Sequence, residues 1–448
     1  MNYIQNSVLS VYRLALLCAV LIFINLSTAA QQTPAPEQSR SVLIIGGSAH
    51  LGTGDVIQES AIGFRNGVID YVGRSFQVDK SKYDDIIDAT GSHIYPGFII
   101  ANTTLGLQEI DAVRATRDQY EVGTFRPNVR SIIAFNTDSE ITPTVRSNGV
   151  LMGQITPRGG VISGSSGVVH FDGWNWEDAQ ILMVDGIHLN WPSTHHRHRT
   201  DGKIDIIKSK TYDQSLHEIK SYFSDAKAYA TAYPNGSNNI VDVRHEGMRG
   251  LFDGSLALYV HATDQRAIIE AVHFKRELGI ERLVIVGGYD AHLVADVLRD
   301  NNVSVLLTSL HRLPRFTDED IDLPYRLPKL LADEGVLFGL QVDSRMTEMN
   351  SRNLPFYAGT ARKYGLTEEQ AVMALTRNVA RILGIDKTCG SIEQGKDATI
   401  FISTGDALDI RTNHLSHAFI QGRSIDIDNR QRELYRKFQT KYGAESLD

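Results

Sequence analysis

The fold is decided by the stretch Tyr95-Pro96-Gly97-Phe98-Ile99-Ile100-Ala101-Asn102-Thr103-Thr104-Leu105-Gly106 and by the residues downstream of it. After this stretch, short apolar runs alternate with helical stretches as far as about residue 385. Continuous Val, Ile and Leu runs are what a parallel sheet covered on both faces requires. The clearest of the predicted strands are 149–156, 257–262, 283–287, 303–308 and 336–342.

Residues 95–385 have close to the usual size of a (β/α)8 barrel. The region is therefore predicted to be an α/β, TIM-like barrel, with a polar insertion over residues 190–239. A doubly wound open sheet is the alternative, and the sequence carries no Rossmann or P-loop fingerprint to support it.

Two further segments, 40–94 and 386–425, contain short apolar runs separated by Gly and Asn-Gly turns, which are strand and hairpin signals. Neither segment has enough strands to bury both faces of a sheet alone. We therefore expect the two segments to meet as one composite β-sandwich. Residues 426–448 are predicted to form a C-terminal surface helix.

The N-terminal residues 1–30 have the pattern of a cleaved secretory signal, with an apolar run over 14–26 and small residues before Ala30. A membrane anchor is the alternative, but the run is short for about 30 Å of hydrocarbon. Residues 31–39, rich in Gln and Pro, are interpreted as a linker. The pattern predicts a periplasmic or secreted protein without a membrane span after cleavage, and Cys389 would then be its one thiol.

The formal net charge of −8 argues against nucleic acid or an anionic membrane surface as the main partner, because both reward basic patches. A small-molecule substrate is the expected partner.

Barrel enzymes carry their reactive groups just past the C-terminal ends of the strands. His261 follows the run 256–260 and Asp343 follows the run 335–342, so both are candidate site residues. Arg158, Gly159 and Gly160 follow another predicted strand and could present backbone N–H groups to an anionic substrate. A flexible loop on the active face is the alternative for these three residues.

The opening stretch resembles the first barrel strand of the amidohydrolase superfamily, which reads P-G-[FL]-I-D-A-H-x-H-L-G there. Here Ile100 replaces the Asp, and Asn102 and Thr104 replace the two metal-binding histidines. The resemblance is closest to the imidazolonepropionase-like amidohydrolases, and three C-terminal runs carry it further: 353–356, 378–385 and 390–398.

This resemblance implies a divalent metal, most simply zinc, with His261 as a ligand and Asp343 as both a ligand and the general base that takes a proton from water. It implies an exported hydrolase acting on carbon–nitrogen bonds of cyclic amides or peptide-like compounds. The alternative is a metal-free, catalytically inactive homologue that serves as a binding or partner subunit, as a homo-oligomer or beside an active paralogue.

Overall fold

A computed structural model describes residues 33–200, 203–233, 241–343 and 346–443. From Ala35 onwards, the described residues belong to one compact unit. The predicted signal segment 1–30 lies outside the described residues, as do residues 31–32 of the predicted linker. Ala35 and Gln38 of that linker have no regular secondary structure, but they hydrogen-bond to Asp172 and to the backbone of Phe64 within this compact unit.

The described part of the chain alternates strands and helices. Its strands are β1 (Val42–Ile45), β2 (Ser48–His50), β3 (Val56–Ile57), β4 (Ser60–Arg65), β5 (Val68–Arg74), β6 (Asp85–Asp88), β7 (His93–Pro96), β8 (Phe98–Thr103), β9 (Val150–Ile155), β10 (Ile162–His170), β11 (Gln180–Asn190), β12 (His195–Thr200), β13 (Lys203–Lys208), β14 (Ala257–Ala262), β15 (Leu283–Gly287), β16 (Ser304–Leu307), β17 (Phe338–Leu340), β18 (Ile400–Ser403), β19 (Leu415–Ile420) and β20 (Arg423–Ser424). Its α-helices are α1 (Thr142–Arg146), α2 (Trp176–Ala179), α3 (Tyr212–Ala232), α4 (Val243–Met248), α5 (Gln265–Leu278), α6 (Ala295–Asp300), α7 (Leu323–Asp333), α8 (Thr347–Asn350), α9 (Leu354–Lys363), α10 (Glu368–Met373), α11 (Arg377–Leu383) and α12 (Arg430–Tyr442).

The central sheet is an eight-stranded barrel with the order β17-β16-β15-β14-β11-β10-β9-β8. A parallel bridge between Ala101 and Gln341 brings the two end strands together and closes it. The predicted TIM-like barrel is thereby confirmed. The opening stretch forms β8, whose residues are all buried.

One strand departs from the (β/α)8 pattern. β10 runs antiparallel to both of its neighbours, β9 and β11, whereas the other adjacent pairs are parallel. The connection from Ile155 to Ile162 is too short for a crossover helix, so the chain turns back as a hairpin. The C-terminal end of β10, at His170, therefore lies where the parallel strands begin.

Two smaller sheets, β5-β4-β1-β6 and β20-β19-β18-β7-β2-β3, pack around a second core that includes Ile44, Phe64 and Ile400. β18 pairs with β7 in register Ile400 to Pro96, so strands from both ends of the chain share one sheet. This is the composite arrangement predicted from the strand signals of segments 40–94 and 386–425.

The predicted insertion contains the β12–β13 hairpin and helix α3. Near the C-terminus, α12 buries none of its residues and exposes Tyr435, Phe438 and Tyr442. In the described part of the chain, no helix has the length and apolar character that crossing a bilayer requires.

Candidate site at the C-terminal face of the barrel

Arg158 and Asn102 form the centre of this site. The guanidinium of Arg158 donates to the Asn102 side-chain oxygen at 2.8 Å and to its carbonyl oxygen at 2.7 Å. Asn102 also donates from Nδ2 to Gln341 Oε1 at 2.7 Å, and its backbone N–H donates to Gln154 Oε1 at 2.9 Å. Asn102, which stands at one of the family's histidine positions, is thus a hydrogen-bonding hub that holds a cation.

The backbone explains why asparagine suits position 102. Its φ is +52°, in the left-handed region, and the register between β8 and β9 shifts between Ile100 and Thr103. Asn is one of the few residues with a side chain that occupy this region readily. The resulting irregularity turns both the amide group and the carbonyl of Asn102 towards Arg158.

The loop after β9 positions Arg158. Arg126 donates to the carbonyl oxygens of Arg158 and Gly159, and Gly159 and Gly160 have φ values of +80° and +66°. A Cβ on Gly160 would lie 2.8 Å from the carbonyl oxygen of Thr124, so this loop requires glycine.

This loop was predicted to offer backbone N–H groups to an anion, and for Arg158 that prediction is wrong. The backbone N–H of Arg158 is already donated to the carbonyl of Gln119 at 2.7 Å and is not free for an anion. It is the Arg158 side chain that reaches the site. Burial lowers the pKa of Arg158 to about 10, and the nearby carboxylate of Asp343 opposes that shift, so the guanidinium stays charged at neutral pH.

His261 lies at the end of β14, as predicted, and meets a second histidine. Its Nε2 is 2.9 Å from Nδ1 of His188 on β11, and His188 Nε2 is 2.8 Å from Ser166 Oγ. Burial, together with the positive charge of Arg158, lowers the pKa of His261 to about 3. Burial, together with His261 and Arg158, also holds the pKa of His188 well below its usual range. Both rings are therefore neutral near pH 7.

His188 was missed at the sequence level, because the strand that carries it was not among the predicted strands. The available signal was its place between Ile187 and Leu189, near the end of a run of apolar residues. His188 is completely buried.

Asp343 lies beyond β17, as predicted, but it is exposed. Its backbone N–H donates to Ser309 Oγ at 2.6 Å, and Ser309 Oγ donates to its carbonyl oxygen at 2.9 Å. Its carboxylate is close enough to Arg158 to influence the pKa of the guanidinium. Asp343 thus stands at the rim of the site.

Thr104, at the other histidine position, meets a buried acid that the sequence did not single out. Its Oγ1 donates to Glu348 Oε2 at 3.2 Å, and Gln108 Nε2 donates to Oε1 of the same residue at 3.2 Å. Glu348 is only 3% exposed, and its burial raises its pKa. It lies on the short helix α8, which carried no periodic signal in the sequence.

Beneath these groups the barrel interior is polar. Gln154 Nε2 donates to Asp185 Oδ2 at 2.7 Å and Tyr259 OH donates to the same oxygen at 2.6 Å. Gln154 Nε2 also reaches Ser166 Oγ at 3.2 Å, which connects this network to His188.

These residues do not fit the metal that the resemblance implies. Asn102 and Thr104 are poor zinc ligands, and Asn102 is already bonded to a guanidinium cation. His261 Nε2 faces the other imidazole instead of an open position. Among the described residues, His261 and Asp343 belong to no group of three His, Cys, Asp or Glu side chains with converging ligand atoms.

Comparison with known sequences points to one family. The sequence pattern of the Amidohydrolase family matches residues 246–428. The chain is similar to an imidazolonepropionase of Flavobacterium psychrophilum, with 32% identity over 112 residues, which are 23% of this chain and 27% of that protein. It is also similar to amidohydrolase tasK of Hapsidospora irregularis, with 34% identity over 116 residues, covering 24% of this chain and 11% of that protein. The chain thus matches about a quarter or less of the length of these relatives.

Comparison with solved structures supports the fold. An amidohydrolase from Thermotoga maritima MSB8 superimposes with a TM-score of 0.73 at 23% identity, over 86% of this chain and 99% of that one. A prolidase from Bifidobacterium longum, described as putative, superimposes with a TM-score of 0.52 at 15% identity, over 90% and 100%. At these identities the similarity concerns the architecture.

Proposed function

We propose that this chain, whose residues 246–428 match the Amidohydrolase family, is a hydrolase of amide-like carbon–nitrogen bonds in small molecules. In this proposal the Arg158 guanidinium supplies the positive charge that a metal would otherwise supply. The observation that carries it is the pair of hydrogen bonds from Arg158 to Asn102, which puts a fixed cation at a former ligand position.

The chemistry depends on the donors that Arg158 leaves free. A guanidinium has five N–H donors, and two of them are given to Asn102. The remaining donors would bind the oxygen of a substrate carbonyl, which gains negative charge when water attacks the carbon. Asp343, at the rim, would take the proton from that water, and the proton would pass to the leaving nitrogen as the carbon–nitrogen bond breaks.

Arginine also indicates which substrates fit. Its planar fork matches a carboxylate with two parallel hydrogen bonds. Substrates of the expected class, cyclic amides and dipeptides, would therefore bind best when they carry a carboxylate near the scissile bond.

The second candidate is a catalytically inactive homologue that binds such a molecule without cleaving it. The observation that favours it is the mutual hydrogen bond of His188 and His261, which occupies the Nε2 that the resemblance assigns to a metal. Export, and a homo-oligomer or paralogous partner, remain predictions that N-terminal sequencing of the purified protein and analytical ultracentrifugation would test.

One experiment separates the two candidates. Hydrolysis of a panel of cyclic amides and dipeptides, and binding of the same compounds by calorimetry, would be measured for the wild type, Arg158→Gln and Arg130→Gln. Arg130 is an exposed arginine on a neighbouring loop and serves as the matched control. We expect kcat/KM to fall by about 10²-fold or more in Arg158→Gln, the usual effect of removing an oxyanion donor, and to be unchanged in Arg130→Gln.

Binding that depends on Arg158 without turnover would support the inactive homologue. Turnover that needs added zinc and survives Arg158→Gln would overturn the proposed role of Arg158. Neither binding nor turnover across the panel would contradict both candidates.

A further inference from the structure

A second cluster of reactive side chains lies at the opposite end of the barrel. It consists of His170 at the end of β10, Cys389 after α11, and Asp397 before β18. One ligand atom from each residue lies within 4.8 Å of the other two. Cys389 Sγ is 3.8 Å from Asp397 Oδ2, and His170 Nε2 is 4.0 Å from the same oxygen.

The topology explains why these residues meet. Because β10 is antiparallel, it carries His170 to the face where the parallel strands begin, in register with Met152. Cys389 packs in the same apolar cluster as Met152 and Val168. The backbone N–H of Asp397 donates to the carbonyl of Thr388 at 2.9 Å, which holds Asp397 beside Cys389.

His170 gives an independent sign that a ligand belongs here. It is 2% exposed, and neither of its ring nitrogens has a hydrogen-bond partner among the described residues. A buried polar group without a partner costs about 1–3 kcal/mol, so native proteins rarely retain one without a reason. A cation bound to one ring nitrogen of His170 would satisfy that nitrogen.

From this geometry we propose that His170, Cys389 and Asp397 bind one zinc ion. Nitrogen, sulfur and carboxylate oxygen are the zinc ligands in proteins, and bond lengths of about 2.0 Å to N or O and about 2.3 Å to S place tetrahedral ligand atoms about 3.3–3.6 Å apart. The two separations from Asp397 Oδ2, 3.8 Å and 4.0 Å, exceed these by less than about 1 Å, which side-chain rotations would remove. A thiolate and a carboxylate together neutralise the charge of the ion.

The neighbouring residues leave room for water as a fourth ligand, and the nearby arginine does not occupy the position of the ion. The side chain of Asp397 is 21% exposed and borders a surface cleft of about 370 Å³, through which water could reach the ion. Arg423 borders the same cleft, but its guanidinium is paired with Asp172 at 2.9 Å. The burial that raises the pKa of Cys389 to about 12 leaves it a thiol when no metal is bound, so zinc would displace its proton.

A zinc ion here would have a structural role. It would connect a barrel strand to the segment 389–397, which leads into β18 of the composite sandwich. The N-terminal face of such barrels serves stability and the C-terminal face serves chemistry. The run 390–398, which is part of the family resemblance, would then also supply the ligand Asp397, and Cys389 directly precedes this run.

The test uses the full chain carrying Cys18→Ser, so that Cys389 is its single thiol. Zinc per chain would be measured by mass spectrometry after equilibration with zinc and gel filtration, for this parent, Cys389→Ser, His170→Asn and the control His261→Asn. We expect about one zinc per chain in the parent and in His261→Asn, and loss of that zinc in the two cluster variants. No bound zinc in the folded parent, or retention in both cluster variants, would overturn the proposal.

A second measurement covers the case in which a variant does not fold. The parent would be loaded with Co²⁺ in place of zinc, and its absorption spectrum recorded. A thiolate–cobalt charge-transfer band is expected, because Cys389 is the available thiol. Bound cobalt without this band would place the metal elsewhere and contradict the proposal.

Discussion

The two ends of the barrel each contain a histidine whose pKa is lowered to about 3, the half-buried His261 at the C-terminal end and the buried His170 at the N-terminal end. At the C-terminal end His261 has a partner in His188, and Arg158 lies close by as a permanent cation. At the N-terminal end His170 has no hydrogen-bond partner among the described residues, and a thiol and a carboxyl group face it.

The two ends therefore differ in charge. At the C-terminal end, neutral hydrogen-bonding groups stand where the resemblance implies metal ligands, and Arg158 provides a positive charge there. At the N-terminal end, the candidate ligands His170, Cys389 and Asp397 are not paired with the nearby cation Arg423, because Arg423 forms an ion pair with Asp172. We therefore expect metal at the N-terminal end only.

The largest expected change is the creation of a second metal site. Asn102→His with Thr104→His alone should bind no additional zinc, because Arg158 still occupies the surroundings of position 102. Adding Arg158→Ala removes that cation, and with His261 and Asp343 nearby we expect about two zinc ions per chain. Metal analysis of the double and triple variants checks this. An equal gain in both would show that Arg158 does not exclude the metal.

The next effect is the loss of stability in acid. Burial is the main reason why the pKa values of His170, His188 and His261 are lowered. A histidine with a lowered folded pKa contributes stability that is fully present above its unfolded value of about 6.5 and is lost as the pH falls towards the folded value. Between about pH 6.5 and 3, protonation of His170 and of His261 should each cost up to about 1.4 kcal/mol per pH unit.

Urea unfolding of zinc-loaded and zinc-free protein at several pH values measures this dependence. Protonation of His170 also competes with zinc, so the loaded protein should lose stability more steeply between pH 6.5 and 5. Parallel curves for the two forms would argue against His170 as a ligand.

The smallest expected effect is a difference in the free energy of unfolding between substitutions at the two ends. The polar groups near the C-terminal end are hydrogen-bonded, whereas His170 at the N-terminal end has no such bond within the described part of the chain. Asp185→Ala removes the acceptor for Gln154 and Tyr259 and should lower the free energy of unfolding by about 3 kcal/mol. His170→Leu in zinc-free protein removes a buried polar group without partners, and should leave the free energy of unfolding unchanged or raise it by up to about 1–3 kcal/mol. Comparable losses from both substitutions would mean that His170 has a partner in solution.

Much of the fold could be predicted from the sequence, because apolar runs and their spacing report burial directly. The runs at 257–262 and 283–287 coincide with β14 and β15. The antiparallel direction of β10 could not be predicted, since a run of residues such as 162–170, rich in Ser and Gly, does not indicate which way it pairs.

The residues of the candidate site were predictable where their place at the end of a strand brings them to the site, as for His261 and Asp343. It was not predictable where the partner comes from a distant part of the chain. Glu348 meets Thr104 across 244 positions of sequence, and Arg158 reaches Asn102 only because β8 is irregular at that point. His170 gave no signal, since it is a single residue between apolar neighbours, and Cys389 stood out only as the one thiol expected after signal cleavage.

At its C-terminal end this barrel carries Arg158 where the resemblance implies a metal, and we propose that its N-terminal end binds zinc. Anomalous diffraction from zinc-soaked crystals, recorded at the zinc absorption edge, tests this most directly. We expect one strong peak among His170, Cys389 and Asp397 and none beside His261. A peak between His261 and Asp343, with Arg158 displaced from Asn102, would contradict the account.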